Sequence, residues 1–184
     1  MRSEYLIILL DYISTQNKKE VRFEWGLPAL ITSLCVFFAF KTLDISLYDA
    51  VEKGNGIVKT LLGFTLAALT LFLTGNETIE QTKMFKTNKI VRGQHISLYQ
   101  KIVMSYSYLI VVETILVTIF FVSNLFSFTV SQILTIISNG LFIFLVLHVF
   151  CVTIDTVSDL YFILIKRKNN PCHILSKGAR LALQ

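Results

Sequence analysis

The sequence predicts an all-α fold: an integral membrane four-helix bundle with an N-terminal amphipathic interfacial helix and both termini cytoplasmic. Three observations carry this expectation. Of 184 residues, 54% are hydrophobic and only 16% charged, against about a quarter charged in soluble domains. Four apolar runs approach the roughly 20 residues a helix needs to cross a hydrocarbon core about 30 Å thick. The basic residues gather on one side of those runs, as the positive-inside rule requires.

Residues 1–24 form the first unit. Leu6, Leu9, Leu10 and Ile13 recur at helical spacing, so an amphipathic helix in the membrane interface is expected. The apolar run Tyr5 to Leu10 is too short for a signal peptide and is flanked by Glu4 and Asp11. Lys18, Lys19 and Arg22 follow it, suited to anionic headgroups. The four-helix domain spans 25–165. Its first crossing, 25–43, opens on Trp25, an interfacial anchor, with Pro28 in the first turn where its missing donor has no partner to lose. Thr42 to Lys53 reads as a short surface helix stopped by Gly54-Asn55-Gly56. The second crossing, 57–74, carries Gly63, Ala67 and Ala68, a small-residue face for close helix packing within the chain or between subunits.

Between the second and third crossings Asn76 is a candidate N-cap, followed by early acids and later lysines, the order that suits a helix dipole. A charged helix is therefore expected here. Lys83, Lys86, Lys89 and Arg92 make this segment a candidate surface for a cytosolic partner or for lipid headgroups. The third crossing, 102–122, contains one charge, Glu113. A mid-helix carboxylate opposes insertion by roughly 2.5–3.5 kcal/mol, and Leu, Ile, Phe and Val each favour it by about 0.3–0.6 kcal/mol. Thirteen such residues in this run supply about 6 kcal/mol, so insertion wins. The fourth crossing, 132–154, extends toward 165 and ends in the basic cytoplasmic tail 166–184, whose Lys166, Arg167 and Lys168 are a second candidate surface for the partner or for lipid headgroups. With four crossings, 14 Lys and Arg fall on the side of the termini and 3 on the other. That asymmetry accounts for the net charge of +5, and direct nucleic-acid binding is not expected.

Two groupings of polar residues lie inside the apolar runs. Glu113 shares a helix face with Tyr106, and a symmetric hairpin of the last two crossings places Asn139 and Gly140 opposite it, with Asn139 as hydrogen-bond donor. Intramembrane ionisable groups commonly mark an ion or proton path; the bland alternative is a hydrogen-bonded packing residue. On the fourth crossing His148, Cys151, Asp155 and Asp159 stand at i, i+3, i+7 and i+11, spread over about 16 Å of axis. That stripe is too long to ligate one metal ion and is suited to pairing with the basic segment Lys83 to Arg92. Cys35 and Cys151 sit in apolar runs as small buried hydrophobes. No H-E-x-x-H, G-x-S-x-G, Walker A or G-x-G-x-x-G pattern occurs, so neither a cofactor nor an enzymatic activity is expected.

The short amphipathic start, the run LLGFTLAALTLFL at Leu61 to Leu73 and the charged segment directly after it resemble small four-helix membrane proteins of bacterial anti-phage systems. Examples are the membrane subunit of the Kiwa system and the accessory membrane protein of type VI-B CRISPR systems. The resemblance covers organisation along most of the chain and transfers no functional residue. It implies a homo-oligomer of the bacterial inner membrane that senses envelope disturbance or alters permeability with a cytosolic protein. The expectation is thus a non-enzymatic membrane sensor or pore-type effector. The alternative is a stand-alone ion or proton channel or transporter subunit relaying through Glu113 and His148. A third reading, an intramembrane lipid-acting enzyme, lacks a visible nucleophile–base pair.

Overall fold

A computed structural model describes residues 2–42, 47–74, 79, 82–83, 85–125 and 132–169. The tail from residue 170, the candidate cap Asn76 and residues 126–131 lie outside them, as do the side chains of Lys166, Arg167 and Lys168. The elements are α1 (Arg2–Thr15), α2 (Lys18–Val21), a π-helical turn (Arg22–Gly26), α3 (Leu27–Thr42), α4 (Leu47–Leu73), β1 (Lys86–Val91), β2 (Gln94–Ser97), α5 (Leu98–Leu125) and α6 (Gln132–Asn169). Among the described residues, four helical stretches are long and apolar enough to cross a membrane: Lys18–Phe38, Val51–Leu73, Leu98–Ser123 and Leu134–Tyr161. That is the make-up of a multi-pass membrane protein.

The expected first crossing begins earlier than its sequence suggests. α2, the π turn and α3 join into one helix, so Pro28 stands inside a helix and not in its first turn. A helical proline removes the bond to the carbonyl four residues back and its ring crowds that carbonyl. The π turn accommodates the crowding: the Leu27 N–H reaches back five residues to the Arg22 carbonyl.

Gly54-Asn55-Gly56 does not stop a helix either; α4 runs through all three residues. Tertiary packing overrides their weak propensity. Val51, Asn55 and Val58 are buried, and a Cβ built on Gly54 would sit 3.5 Å from the Phe142 ring of α6. The small face of α4 is divided. Ala68 packs on the core, while Ala67 is exposed and Gly63 has no neighbour within 4 Å.

The segment expected as a charged helix is helical at Ile79, Thr82 and Lys83, but from Lys86 it forms an antiparallel β-hairpin, the one departure from helix among the regular elements of the described residues. Val91 pairs with Gln94 around a two-residue turn in which both Arg92 (φ 50) and Gly93 (φ 78) have positive φ. Such a turn matches the twist of paired strands, and glycine is the residue that adopts it most readily. β-branched Thr87, Ile90, Val91 and Ile96 favour extended backbone, and Val91 and Ile96 are buried. A reciprocal cap then starts α5: the Ser97 N–H donates to Gln100 Oε1 at 2.8 Å and the Gln100 N–H to Ser97 Oγ at 3.2 Å.

α5 packs most extensively on α4; α6 touches α3, α4 and α5; α1 lies across α5 and β1. The core is centred on Val58, Ile102, Tyr106, Leu109, Leu116, Val149 and Val152. α3 meets α6 at Gly140, where an added Cβ would fall 2.7 Å from Val36 Cγ2. Gly140→Ala therefore destabilises the protein by about 1–3 kcal/mol, the usual range for overpacking. Gly54→Ala, which meets only ordinary contact distance, stays close to the parent; thermal unfolding of the two variants in one detergent distinguishes them.

Candidate functional site

The polar interior is best followed along α5, from Lys101 through Tyr108 to Glu113, 12 residues or about 18 Å of axis. Each of these three side chains is the centre of a polar layer.

The middle layer starts from Pro28. With no N–H at position 28, the Glu24 carbonyl lacks its usual helical donor. His148 Nδ1 lies 2.7 Å from that carbonyl oxygen. A carbonyl only accepts, so Nδ1 carries the proton. In the neutral ring Nε2 is then the acceptor, and Tyr108 Oη donates to it at 2.7 Å. His148 is completely buried, and Trp25 lies against it with ring centroids 4.3 Å apart.

The Glu24 side chain continues the layer toward α1. Tyr12 Oη donates to Glu24 Oε2 at 2.7 Å, and Gln16 Nε2 donates to the same oxygen. Trp25 Nε1 donates to Gln16 Oε1 at 3.2 Å. Tyr12 also stacks on Tyr108, with centroids 4.0 Å apart and planes 16° from parallel. Burial first, and the Glu24 carboxylate second, hold the Tyr12 hydroxyl above the ordinary phenol range, so it remains a donor. Helices α1, α5, α6 and the π turn thus share one set of hydrogen bonds.

The layer beside it is ionic. Lys101 Nζ lies 2.7 Å from Asp159, 3.4 Å from Glu20 and 3.9 Å from Asp155. Glu20 also pairs with Lys89 of β1 and accepts from the Asn17 N–H at 2.6 Å, capping α2. Lys89 reaches on to the Thr15 carbonyl. Arg92 forms a two-pronged contact with Asp11 of α1, at 3.1 and 2.8 Å. The expected pairing of the acidic stripe with the basic segment Lys83 to Arg92 is therefore corrected. Asp155 and Asp159 take Lys101, and the basic segment pairs through Lys89 and Arg92 with acids of the N-terminal unit. Folding joins α1 to β1 and brings the start of α5 onto α6, which sequence spacing does not report.

The third layer is Glu113, completely buried on α5. Its partner is Thr65 of α4, with Oγ1 3.2 Å from Glu113 Oε1, and not Asn139. The single Thr65 proton also faces the Leu61 carbonyl at 2.8 Å. Glu113 Oε2 is without a partner among the described residues. Asn139 is half-buried beside Gly140, the position that faces Thr32 and Val36 of α3. Tyr106 is buried in the core. Cys151 is buried and free, one helical turn from His148. Lys86 is exposed on the hairpin; Lys83 stands 5.3 Å from the Tyr99 ring centroid. Among the described residues no three His, Cys, Asp or Glu side chains are grouped to hold a metal ion.

Sequence reasoning identified His148, Asp155, Asp159 and Glu113 but missed Tyr12, Gln16, Glu20, Glu24, Tyr108 and Thr65. One signal was available: a carboxylate four residues before Pro28, in a helix not yet recognised as continuous. No protein-family model, curated protein or solved structure matches the chain.

Two expectations test these layers. Tyr108→Phe leaves His148 Nε2 buried without a donor and lowers stability by about 1–3 kcal/mol. In a Pro28→Ala background the restored N–H competes for the Glu24 carbonyl, so truncating His148 costs less than it does in the parent; a double-mutant cycle on thermal unfolding measures the difference. Lys101→Met leaves Asp155 and Asp159 side by side without their cation, while Glu20 keeps Lys89, and is expected to destabilise more than Arg92→Ala, whose exposed pair contributes at most about 1 kcal/mol.

Proposed function

We propose that this chain is a non-enzymatic, multi-pass protein of the bacterial inner membrane that transmits a change in the membrane to a cytosolic protein. In this reading the four spans form a bundle, both termini are cytoplasmic and the protein self-associates. The observation that carries it is the buried set of hydrogen bonds joining α1 to the interior of the spans, Tyr12 to Glu24 and Tyr108 to His148 to the Glu24 carbonyl. The hairpin is tied to the same unit by Lys89 and Arg92. A shift of α6 against α3 breaks or remakes bonds that also hold α1, and α1 holds the hairpin. The exposed face of the hairpin, with Lys86 and Ile90 outward, is the surface offered to the partner. Outward-facing Gly63 and Ala67 suit close approach of a second copy. The organisational resemblance to anti-phage membrane subunits extends the proposal to antiviral defence, as sensor or as pore-type effector.

The relay reading needs a proton to pass between Glu113 and His148. Each has its own partners instead, Thr65 for one and Tyr108 with the Glu24 carbonyl for the other, so transmission is favoured over transport.

Hydrogen exchange of the full chain in nanodiscs tests the coupling. Glu24→Gln weakens the buried set without touching the hairpin, and a lost buried hydrogen bond costs about 1–3 kcal/mol. Amides of β1 and β2 are expected to exchange about tenfold faster in that variant; unchanged hairpin exchange would overturn the coupling. Light scattering with the detergent mass subtracted is expected to give more than one chain per particle, and a monodisperse monomer counts against self-association.

A further inference from the structure

α1 turns three of its large aliphatic side chains outward. Leu6, Leu10 and Ile13 share one face, at i, i+4 and i+7, and are 60%, 64% and 49% exposed. The inward side carries Leu9, packed on the core, and the polar groups. Tyr12 and Thr15 are buried there, the Tyr12 hydroxyl is spent on Glu24, and Asp11 holds Arg92. A helix packed on a soluble domain turns its leucines inward and its hydroxyls outward. Here the inward face combines Leu9 and the Tyr12 ring, packed on the core, with hydrogen-bonded polar groups, while Leu6, Leu10 and Ile13 face outward, a distribution favoured where the surrounding solvent is hydrocarbon.

The apolar stripe does not end with α1. Val21, Phe23 and Leu27, at the start of the first span, are each about two-fifths exposed. Exposed Lys18, Lys19 and Arg22 are interleaved with them. Leucines backed by a short basic run are the pattern of a helix that lies in the interface and meets anionic headgroups.

Length and level agree with that placement. α1 has 14 residues, about 21 Å, too short to cross a hydrocarbon core of about 30 Å. α5 has 28 residues, about 42 Å, so roughly 12 Å of it lies beyond the hydrocarbon. Tyr12 stacks on Tyr108, ten residues from the start of α5, or about 15 Å. With the start of α5 on the cytosolic side, α1 meets the span close to where hydrocarbon gives way to headgroups.

We infer that the outer face of α1, Leu6, Leu10 and Ile13, is embedded in the cytosolic leaflet, and that Lys18, Lys19 and Arg22 bind anionic phospholipid headgroups beside it. The inference rests on the membrane orientation proposed above and identifies what the N-terminal unit responds to: the charge and packing of one leaflet. It does not depend on signalling through the hairpin.

The test places a nitroxide label on the full chain in nanodiscs. Leu10→Cys, and separately Leu6→Cys, is made after replacing the native cysteines; Leu71→Cys, on the exposed side of α4, is the control for the spans. Relaxation by lipid-soluble oxygen and exclusion of a water-soluble nickel chelate at Leu10 and Leu6 are the expected result. Nickel access at both, with Leu71 shielded from it, would overturn the embedding of α1 while leaving the spans intact. Nickel access at Leu71 as well would overturn the membrane reading itself. Exclusion of both reagents at Leu10 and Leu6 would place protein, such as a second copy, on this face and also defeat the inference. For the headgroups, the Leu10 label is expected to sit deeper in phosphatidylglycerol than in phosphatidylcholine discs. Replacing Lys18, Lys19 and Arg22 together by Gln is expected to abolish the difference; equal depth in the two lipids for the parent chain would remove the headgroup assignment.

Discussion

Pro28 withholds one N–H, and the middle of the polar interior is arranged around the carbonyl it leaves bare. In a soluble helix near a surface, water would satisfy such a group. Here the carbonyl faces a completely buried histidine, and a buried acceptor left without a donor costs about 1–3 kcal/mol. His148 comes from 124 residues away to supply the donor. Once it does, its other nitrogen must be met in turn, and Tyr108 meets it. Tyr12 stacks on Tyr108 and donates to the side chain of the residue whose carbonyl began the chain of bonds. One missing hydrogen in α3 thereby accounts for the relation of α6 to the π turn, and the two tyrosines extend the same set of bonds to α5 and α1.

The same logic organises the charges. Lys101 and Lys89 are nearly buried, with 12% and 13% of their side chains exposed, and buried charges persist where they are paired and hydrogen-bonded. Glu20 satisfies both lysines and also caps α2. Two of the seven basic residues expected to meet a partner or lipid, Lys89 and Arg92, are consequently paired within the molecule. Among the described side chains, the short exposed run Lys18, Lys19 and Arg22 remains available to lipid.

Glu113 stands apart from both networks. It touches neither His148 nor the ionic layer, and Thr65 serves it with a hydroxyl that must also answer the Leu61 carbonyl. An ionisable side chain deep in a span is expensive and usually turned to the protein interior, and α4 provides that interior here. Its contact fixes the register of α4 against α5, the most extensive helix pair in the molecule, which is a structural consequence whatever further role the carboxyl has.

Local composition was sufficient for four helices long and apolar enough to cross a membrane, because hydrocarbon thickness imposes a length and an apolarity that are visible in a window of the chain. It was also sufficient to single out Glu113, His148, Asp155 and Asp159, since an ionisable group is conspicuous in an apolar run. It misjudged Gly54-Asn55-Gly56 and the segment from Lys86 to Ser97, where propensity lost to packing of α4 on α6 and to the pairing of two short strands. The partners were decided only by tertiary structure. Thr65 for Glu113, Lys101 for Asp159 and the Glu24 carbonyl for His148 lie 48, 58 and 124 residues away in sequence. A residue's own type and neighbours reveal that it needs a hydrogen-bond or charge partner; which partner it finds depends on how helices distant in sequence are set side by side.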